Sequence, residues 1–453
     1  MTETKKLYPN YDMNIWFRTC EEEINEPLEG ETTGVIPSWV RGTLLRNGPG
    51  CNKIGSYQYD HVFDGLALIH RFSIKHSKVT YQCRFVRSET YKKNTTANRI
   101  VVTEFGTKAV PDPCRSIFDR ISSIFNFTMD QTDNTAVSVY PFGDQVYAMT
   151  EVPVLYKIDP VTLETVGKEK LADSLVVCHT AHPHVMPNGV TENYFVIIEQ
   201  PLVISLLNLM RRRFIVTEPF ASTLVSYPEC ETNIILIHRV TGEEKRYPTD
   251  TIYFMHVINC FETDGALCVD LCSYKDANIL NAMYVSAIKD MHSNPDYGQW
   301  CQCRPKRIEI PLEAPPLTKV ESRLIADVGV ETPMINYKLC NGKPYRYFYG
   351  IGSDVDTGDA GSIVKVDTKT GEVLYWKEPQ CYPSEPIFIA NPDGQGEDDG
   401  VLLSAVLWSQ DDRAIALLVL NAKNLEEIAR AHFTTPSQTA KCFHGWFLPD
   451  QMN

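Results

Sequence analysis

Four stretches of this chain read as strand, polar turn, strand: KIDPVTLETVGK, HRVTGEEKRY, VDTKTGEVLYW and LNAKNLEEIAR. Asp159, Asp367 and Asn421 stand where such a turn needs a side chain that bonds back to its own backbone. Gly242 and Gly371 stand where it needs a positive φ. A hairpin repeated in this way requires a set of similar antiparallel units with insertions of varying length between them. Other runs, among them YFVIIEQ, TIYFMHVINCF, GALCVDLCSY and VLLSAVLW, are rich in β-branched and aromatic residues and are bounded by turn residues, as strands are. The pattern suits a β-propeller with variable blades, a sandwich or several small β domains being the alternative. Helical patterns are few, at 113–125, 201–213 and 277–291. The acidic run NPDGQGEDDG (391–400) reads as a surface loop, and no Ser/Gly-rich linker divides the chain, so 1–453 reads as a single domain.

Composition narrows the function classes. With 43% hydrophobic and 22% charged residues, the chain is that of a soluble globular protein with a sizeable core. A formal charge of −14 argues against nucleic acid as a partner, because a phosphate-binding surface tips the balance basic. The first residues, MTETKKLYPNYDMNIWFRTC, hold no apolar core of a secretory signal, and the apolar runs fall short of the ~20 residues that span a bilayer. The expected location is therefore cytoplasmic, and the sequons at Asn94 and Asn126 are expected to be chance matches. Fourteen cysteines are scattered without a repeated spacing and are expected to be reduced thiols; Cys301 and Cys303 form a lone CxC without a partner pair.

Three histidines, His182, His256 and His444, lie far apart in the settings CHTAHPH, YFMHVIN and CFHGWF, each at the end of an apolar, β-prone run. A histidine there is more often a hydrogen-bonded core residue than a ligand. Three glutamates change the weighing: Glu151 in YAMTEVPVLY, Glu331 in VGVETPMINY and Glu385 in YPSEPIFI. A carboxylate in such a segment is costly to bury without a partner, and metal-bound imidazoles usually pass their second N–H to a carboxylate. The inner strands of a propeller converge on one axis, so residues distant in sequence can meet there.

GTLLRNGPG (42–50), FDGLALIHRF (63–72), PDPC (111–114), TAHPH (180–184), MHVIN, ETPMINY (331–337), YPSEPIF (382–388), EDDG (397–400) and FHG (443–445) together resemble the carotenoid cleavage oxygenase family. The resemblance runs from near residue 30 to the C-terminus. Within the family it favours the animal β-carotene oxygenases and retinoid isomerase, and among those the insect carotenoid isomerooxygenases. It implies an all-β, seven-bladed β-propeller with a helical cap. It also implies one Fe(II) held by four histidines, three of them oriented by glutamates. Carried over by position, ligands one, three and four fall on His182, His256 and His444, and the orienting glutamates on Glu151, Glu331 and Glu385. Thr150 matches a residue beside an open coordination position, and Phe105 an aromatic residue of the substrate cleft.

The departure concerns the second ligand. In the family its strand lies between the HPH motif and a segment like TENYFVIIEQP; here HPHVMPNG runs almost directly into VTENYFVIIEQP. A further shortening falls between about residues 317 and 323. His184 lies on the same side of its strand as His182 and is a sterically conceivable substitute, His179 faces the other way, and His238 matches no ligand position. The second ligand is read as missing, and part of one blade with it.

The resemblance implies an Fe(II)-dependent dioxygenase. It would cleave a double bond of β-carotene or a related carotenoid with O₂ to give retinal-type aldehydes, with trans–cis isomerisation as an accompanying step. The missing ligand supports a second reading, a catalytically impaired isoform that binds a carotenoid or retinoid. Either substrate must be extracted from lipid. Cys114, Ile117, Phe118 and Ile121 in CRSIFDRISSIF, and the apolar PLVISLLNLMRRRF, are the expected peripheral membrane contacts.

Overall fold

The structure, a computed structural model, describes residues 6–110, 132–171, 191–214, 218–358 and 361–450. Each of the four repeated stretches is a hairpin: Val154–Ile158 with Thr165–Lys170, Thr232–His238 with Glu244–Thr249, Ile363–Asp367 with Val373–Trp376, and Ala414–Asn421 with Glu427–Thr434. All four use one turn. The N–H of Asp159, His238, Asp367 or Asn421 bonds to the carbonyl five residues on, and its own carbonyl accepts from the residue four on. The side chain at that first position accepts from the N–H two residues ahead, at 2.8 Å for Asp159, 3.3 Å for His238, 2.9 Å for Asp367 and 2.9 Å for Asn421. His238 is thus a turn residue, which accounts for a histidine that matched no ligand position.

The left-handed slot of the turn holds Gly242 (φ +71°) and Gly371 (φ +77°), as read from the sequence, but also Leu163 (φ +61°) and Leu425 (φ +60°). Both leucines are buried, so their packing offsets a conformation that leucine rarely adopts.

Among the described residues there are six antiparallel sheets of three to six strands. Two of them mix the chain's ends. Gly42–Pro49 lies between Ala67–Lys75 and the final strand His444–Pro449, and Glu31–Gly34 adds to Glu427–Thr434. N-terminal strands therefore complete sheets that the C-terminal ones belong to, which ties the two ends of the chain together, as a closed propeller requires. Among the described residues the sheet of Tyr194–Glu199, Thr232–His238 and Glu244–Thr249 has three strands. Among the described residues Tyr194–Glu199 pairs on one side only, and Phe195 and Ile197 on it are 45% and 49% exposed. This is the place where the sequence puts the shortening.

The helices differ in detail from the sequence reading. The 277–291 stretch is two helices, Asn278–Ala282 and Val285–Asp290, because Tyr284 between them is extended and the Val285 N–H bonds to the Asp60 carbonyl instead. In 201–213 the β-branched Val203 and Ile204 form a strand, Leu202–Ile204, paired with Leu224–Ser226, and only Leu206–Phe214 is helical. The 113–125 helix lies outside the described residues. Glu89–Ala97, a polar helix capped by Ser88, had no apolar periodicity to announce it. Helical residues Ile279, Ala282, Ile288 and Tyr297 line the cavity described below and act as its cap. Asn94 is fully buried, its amide donating to the Tyr59 hydroxyl at 3.1 Å, so that sequon is closed to glycosylation; Asn126 lies outside the described residues.

Candidate metal centre

His256 sits in Tyr253–Thr263 and His444 opens the last strand, 188 residues later in the chain. The propeller brings their Nε2 atoms to 3.3 Å. Each ring is held from behind. His256 Nδ1 lies 2.6 Å from a Glu331 carboxylate oxygen, and His444 Nδ1 lies 2.8 Å from Glu385 Oε1. Carboxylates accept, so each Nδ1 carries the proton and each Nε2 turns a lone pair toward the other. Two lone pairs 3.3 Å apart repel unless one ring is protonated or a cation sits between them. The separation is within reach of two metal–nitrogen bonds of about 2.0–2.1 Å, the length that imidazole makes to zinc. The donor set therefore fits a metal ion.

The charges behind the rings are arranged with equal care. Burial alone would pull His256 down, but the carboxylate of Glu331, with Glu385 and Glu151 farther off, carries it above the usual imidazole value. Burial would raise Glu385, but His444, Arg46 and the Gly445 N–H together hold it below the usual carboxylate range. Arg46 is fully buried and reaches Glu385 Oε2 at 3.4 Å, the Glu385 carbonyl at 2.8 Å and the Phe443 carbonyl at 2.6 Å. Glu331 also accepts from the Thr332 N–H at 2.9 Å. Cys303 lies behind it, 4.0 Å from Oε1 and beside Cys272, its thiol pushed up mainly by burial; the CxC contributes a buried neighbour of Glu331.

Glu151 is exposed at the cavity wall, where the Thr150 hydroxyl donates to it at 2.9 Å. His182, with His179 and His184, lies outside the described residues, as do Cys114, Ile117, Phe118 and Ile121. The structure thus brings together His256, His444, Glu331 and Glu385, and sets Thr150, Glu151 and Phe105 on the same cavity.

That cavity encloses about 600 Å³. Aromatic rings form a continuous row along it: Phe443 against Phe63 at 5.5 Å, Phe63 against Phe105 at 5.8 Å, and Phe105 against Phe220 at 6.4 Å. Sequence reasoning found only Phe105 of these. It also missed a set of buried polar groups on the wall, Asp64, Glu104 and Lys441, whose one local signal is that Asp64 lies inside FDGLALIHRF while Glu104 and Lys441 adjoin Phe105 and CFHGWF. Burial pushes Asp64 up to about 7, against hydrogen bonds from the Thr107 hydroxyl and the Gly106 N–H. Burial and Asp64 raise Glu104 well above its usual value.

His61 braces the row from behind, its ring 5.0 Å from Phe105 and 4.8 Å from Phe63. Its Nε2 donates to the Leu280 carbonyl at 3.1 Å, and burial lowers it to about 4 against that bond. A base depressed in the folded state contributes stability that is fully present above the unfolded value of 6.5 and is lost as pH falls toward 4. His61 is expected to remove on the order of 3 kcal/mol of stability between pH 7 and pH 4. Urea unfolding at the two pH values should show a smaller acid loss in His61→Gln; equal losses would contradict the assignment.

Comparison with known proteins follows the same lines. The family model described as retinal pigment epithelial membrane protein matches residues 17–190 and 188–449. The two matches meet at the point where the sequence runs past its missing stretch. The chain is 50% identical to the carotenoid isomerooxygenase of Galleria mellonella over 504 residues, covering 98% of each chain. That alignment is longer than the 453 residues present, so the moth protein carries stretches that this chain lacks. Identity is 36% to the carotenoid isomerooxygenase of Drosophila melanogaster (98% of this chain, 94% of that one) and 33% to the β,β-carotene 15,15′-dioxygenase of Gallus gallus (96% and 98%). Among solved structures, cobalt-substituted Synechocystis apocarotenoid oxygenase superposes with a TM-score of 0.81 at 22% identity over 96% of this chain and 98% of that one, which shows the shared seven-bladed propeller fold. With two family-model matches that together span nearly its whole length, and relatives well above 30% identity along it, the chain belongs to the carotenoid cleavage oxygenase family, the family of the retinal pigment epithelial membrane protein.

Proposed function

We infer that this protein is an Fe(II)-dependent dioxygenase that cleaves a double bond of β-carotene or a related carotenoid to retinal-type aldehydes, with trans–cis isomerisation of a product half. The observation that carries this reading is the pair of imidazoles aimed at each other at 3.3 Å, each with a carboxylate on Nδ1, in the wall of an apolar cavity. His256 and His444 would hold the iron, with His182 as their third partner and Glu151 as a third orienting carboxylate. Iron held there supplies the redox chemistry that couples O₂ to a polyene double bond. The protein's own part is positioning. Glu331 and Glu385 fix the tautomer and direction of the two rings and offset the cation's charge. The row from Phe443 to Phe220 gives a conjugated chain flat faces to lie against, excludes water, and selects which double bond stands beside the histidines. Thr150 and Phe105 line the same cavity.

Such a substrate calls for a peripheral membrane site on the cytoplasmic side, and an exposed apolar face suits it. Leu206 and Leu207 are 68% and 64% exposed on the Leu206–Phe214 helix, with Met210 and the neighbouring Val203 and Ile204 also exposed, and the helix carries arginines at its end. Among the described residues no helix is long and apolar enough to cross a membrane.

One observation favours a second reading, a catalytically impaired isoform that binds a carotenoid or retinoid: the family match that breaks at 188–190. One assay separates the two. Purified protein in detergent micelles with β-carotene and O₂ should yield aldehydes detectable by chromatography. Polyene binding without aldehyde, from β-carotene and from hydroxylated carotenoids alike, would establish the second reading and overturn the first.

A further inference from the structure

The cavity wall carries an amine for which the metal centre has no use. Lys441 is 8% exposed and lines the cavity, three residues before His444. Its Nζ donates to the Pro383 carbonyl at 2.7 Å, and the Tyr382 carbonyl lies at 3.5 Å. The Trp16 ring, on the same cavity, stands 5.5 Å from Nζ. Among the described residues no carboxylate partners this lysine, and the fixed charges that act on it, Arg46 and Arg18, share its sign. Burial, reinforced by those two guanidiniums against the thiols Cys442 and Cys381, brings the ammonium down to about 8. At pH 7 about one such amine in ten is neutral, about 300 times the fraction of an ordinary lysine. A desolvated lysine beside other cations is how an amine is made nucleophilic toward a carbonyl.

We propose that Lys441 is a covalent site for a polyene aldehyde, which it holds in the cavity as a Schiff base. The proposal rests on the reading above, in which the same cavity generates aldehydes. The neutral Nζ adds to the aldehyde carbon and the carbonyl oxygen takes up a proton. The resulting carbinolamine then expels that oxygen as water, taking both amine protons with it and leaving a C=N bond. No oxidant or reductant is consumed, and water reverses the step. The apolar rings of Trp16 and Phe443 flank the site, so hydrolysis is slowed while the polyene remains seated. A protonated imine also draws electrons from a conjugated chain and weakens its double bonds, which eases rotation about them.

The test supplies the aldehyde directly. Full-length protein is incubated with all-trans-retinal at pH 7, reduced with borohydride, digested and mapped by mass spectrometry. The retinyl group is expected on Lys441 at least about tenfold above any exposed lysine, given the difference in neutral amine. Lys441→Met should lose that label and keep the surface background. Label spread over surface lysines with Lys441 unmodified in the wild type overturns the proposal and needs no variant to be read. Because retinal is added, the result is independent of cleavage: a protein that labels at Lys441 but releases no aldehyde from β-carotene fails only as an oxygenase.

Discussion

Replacement of His444 by alanine is expected to remove bound iron and aldehyde formation together while leaving the fold in place. His444 is one of two described imidazoles whose Nε2 atoms converge, and its ring is fixed by Glu385 on the other side. Loss of an orienting partner alone typically weakens a metal site by ~10–100-fold. Loss of the nitrogen itself exceeds that. The fold should survive because Glu385 keeps Arg46 and the Gly445 N–H at 3.0 Å after the imidazole is gone. Iron per chain after gel filtration and initial rates with β-carotene read the two effects. A variant that keeps wild-type iron content and turnover would remove His444 from the site.

Arg46→Met is expected to act on stability first. The guanidinium is fully buried and joins three parts of the centre: the Glu385 carboxylate and carbonyl, the Phe443 carbonyl just before His444, and Cys442 Sγ at 3.2 Å. Methionine fills similar volume but donates nothing, so two carbonyls lose this donor and, among the described residues, the buried Glu385 carboxylate loses its only fixed cation contact, keeping His444 and the Gly445 N–H. Breaking a buried pair from one side costs about 3–5 kcal/mol, because the remaining charge stays behind. Urea unfolding should show that loss, with weaker iron retention as Glu385 shifts and His444 loses its orientation. Lysine at this position would keep the charge but lacks the fork that reaches four acceptors, so Arg46→Lys should recover only part of the stability. Unchanged stability in Arg46→Met would mean that the contacts around Glu385 do not hold the centre together.

Much of this was legible in the sequence. The hairpins announced themselves because an Asx residue and a left-handed residue are chemically required at fixed places in one turn. Leu163 and Leu425 escaped because core packing, which no local pattern records, overrides their backbone preference. Glu331 and Glu385 were legible because a carboxylate in an apolar run needs a partner, and each has a histidine. Glu151 fits less well: it is exposed, with Thr150 as the described hydrogen-bond donor to its side chain. Arg46, Asp64 and Lys441 were not legible, since their meaning comes from what the propeller folds against them rather than from their neighbours in the chain. Secondary structure went astray where a propensity was outvoted locally, at Tyr284 inside a helical pattern and at Val203–Ile204 in an apolar run.

The central claim is that His256 and His444, with His182, hold iron although the stretch that carries the family's second ligand is absent. Metal analysis of the purified wild-type chain by plasma emission tests it most directly. The account predicts close to one iron per chain, falling sharply in His256→Ala and His444→Ala. A wild-type chain that binds polyene but carries far less than one iron, even after anaerobic incubation with Fe(II), would contradict it.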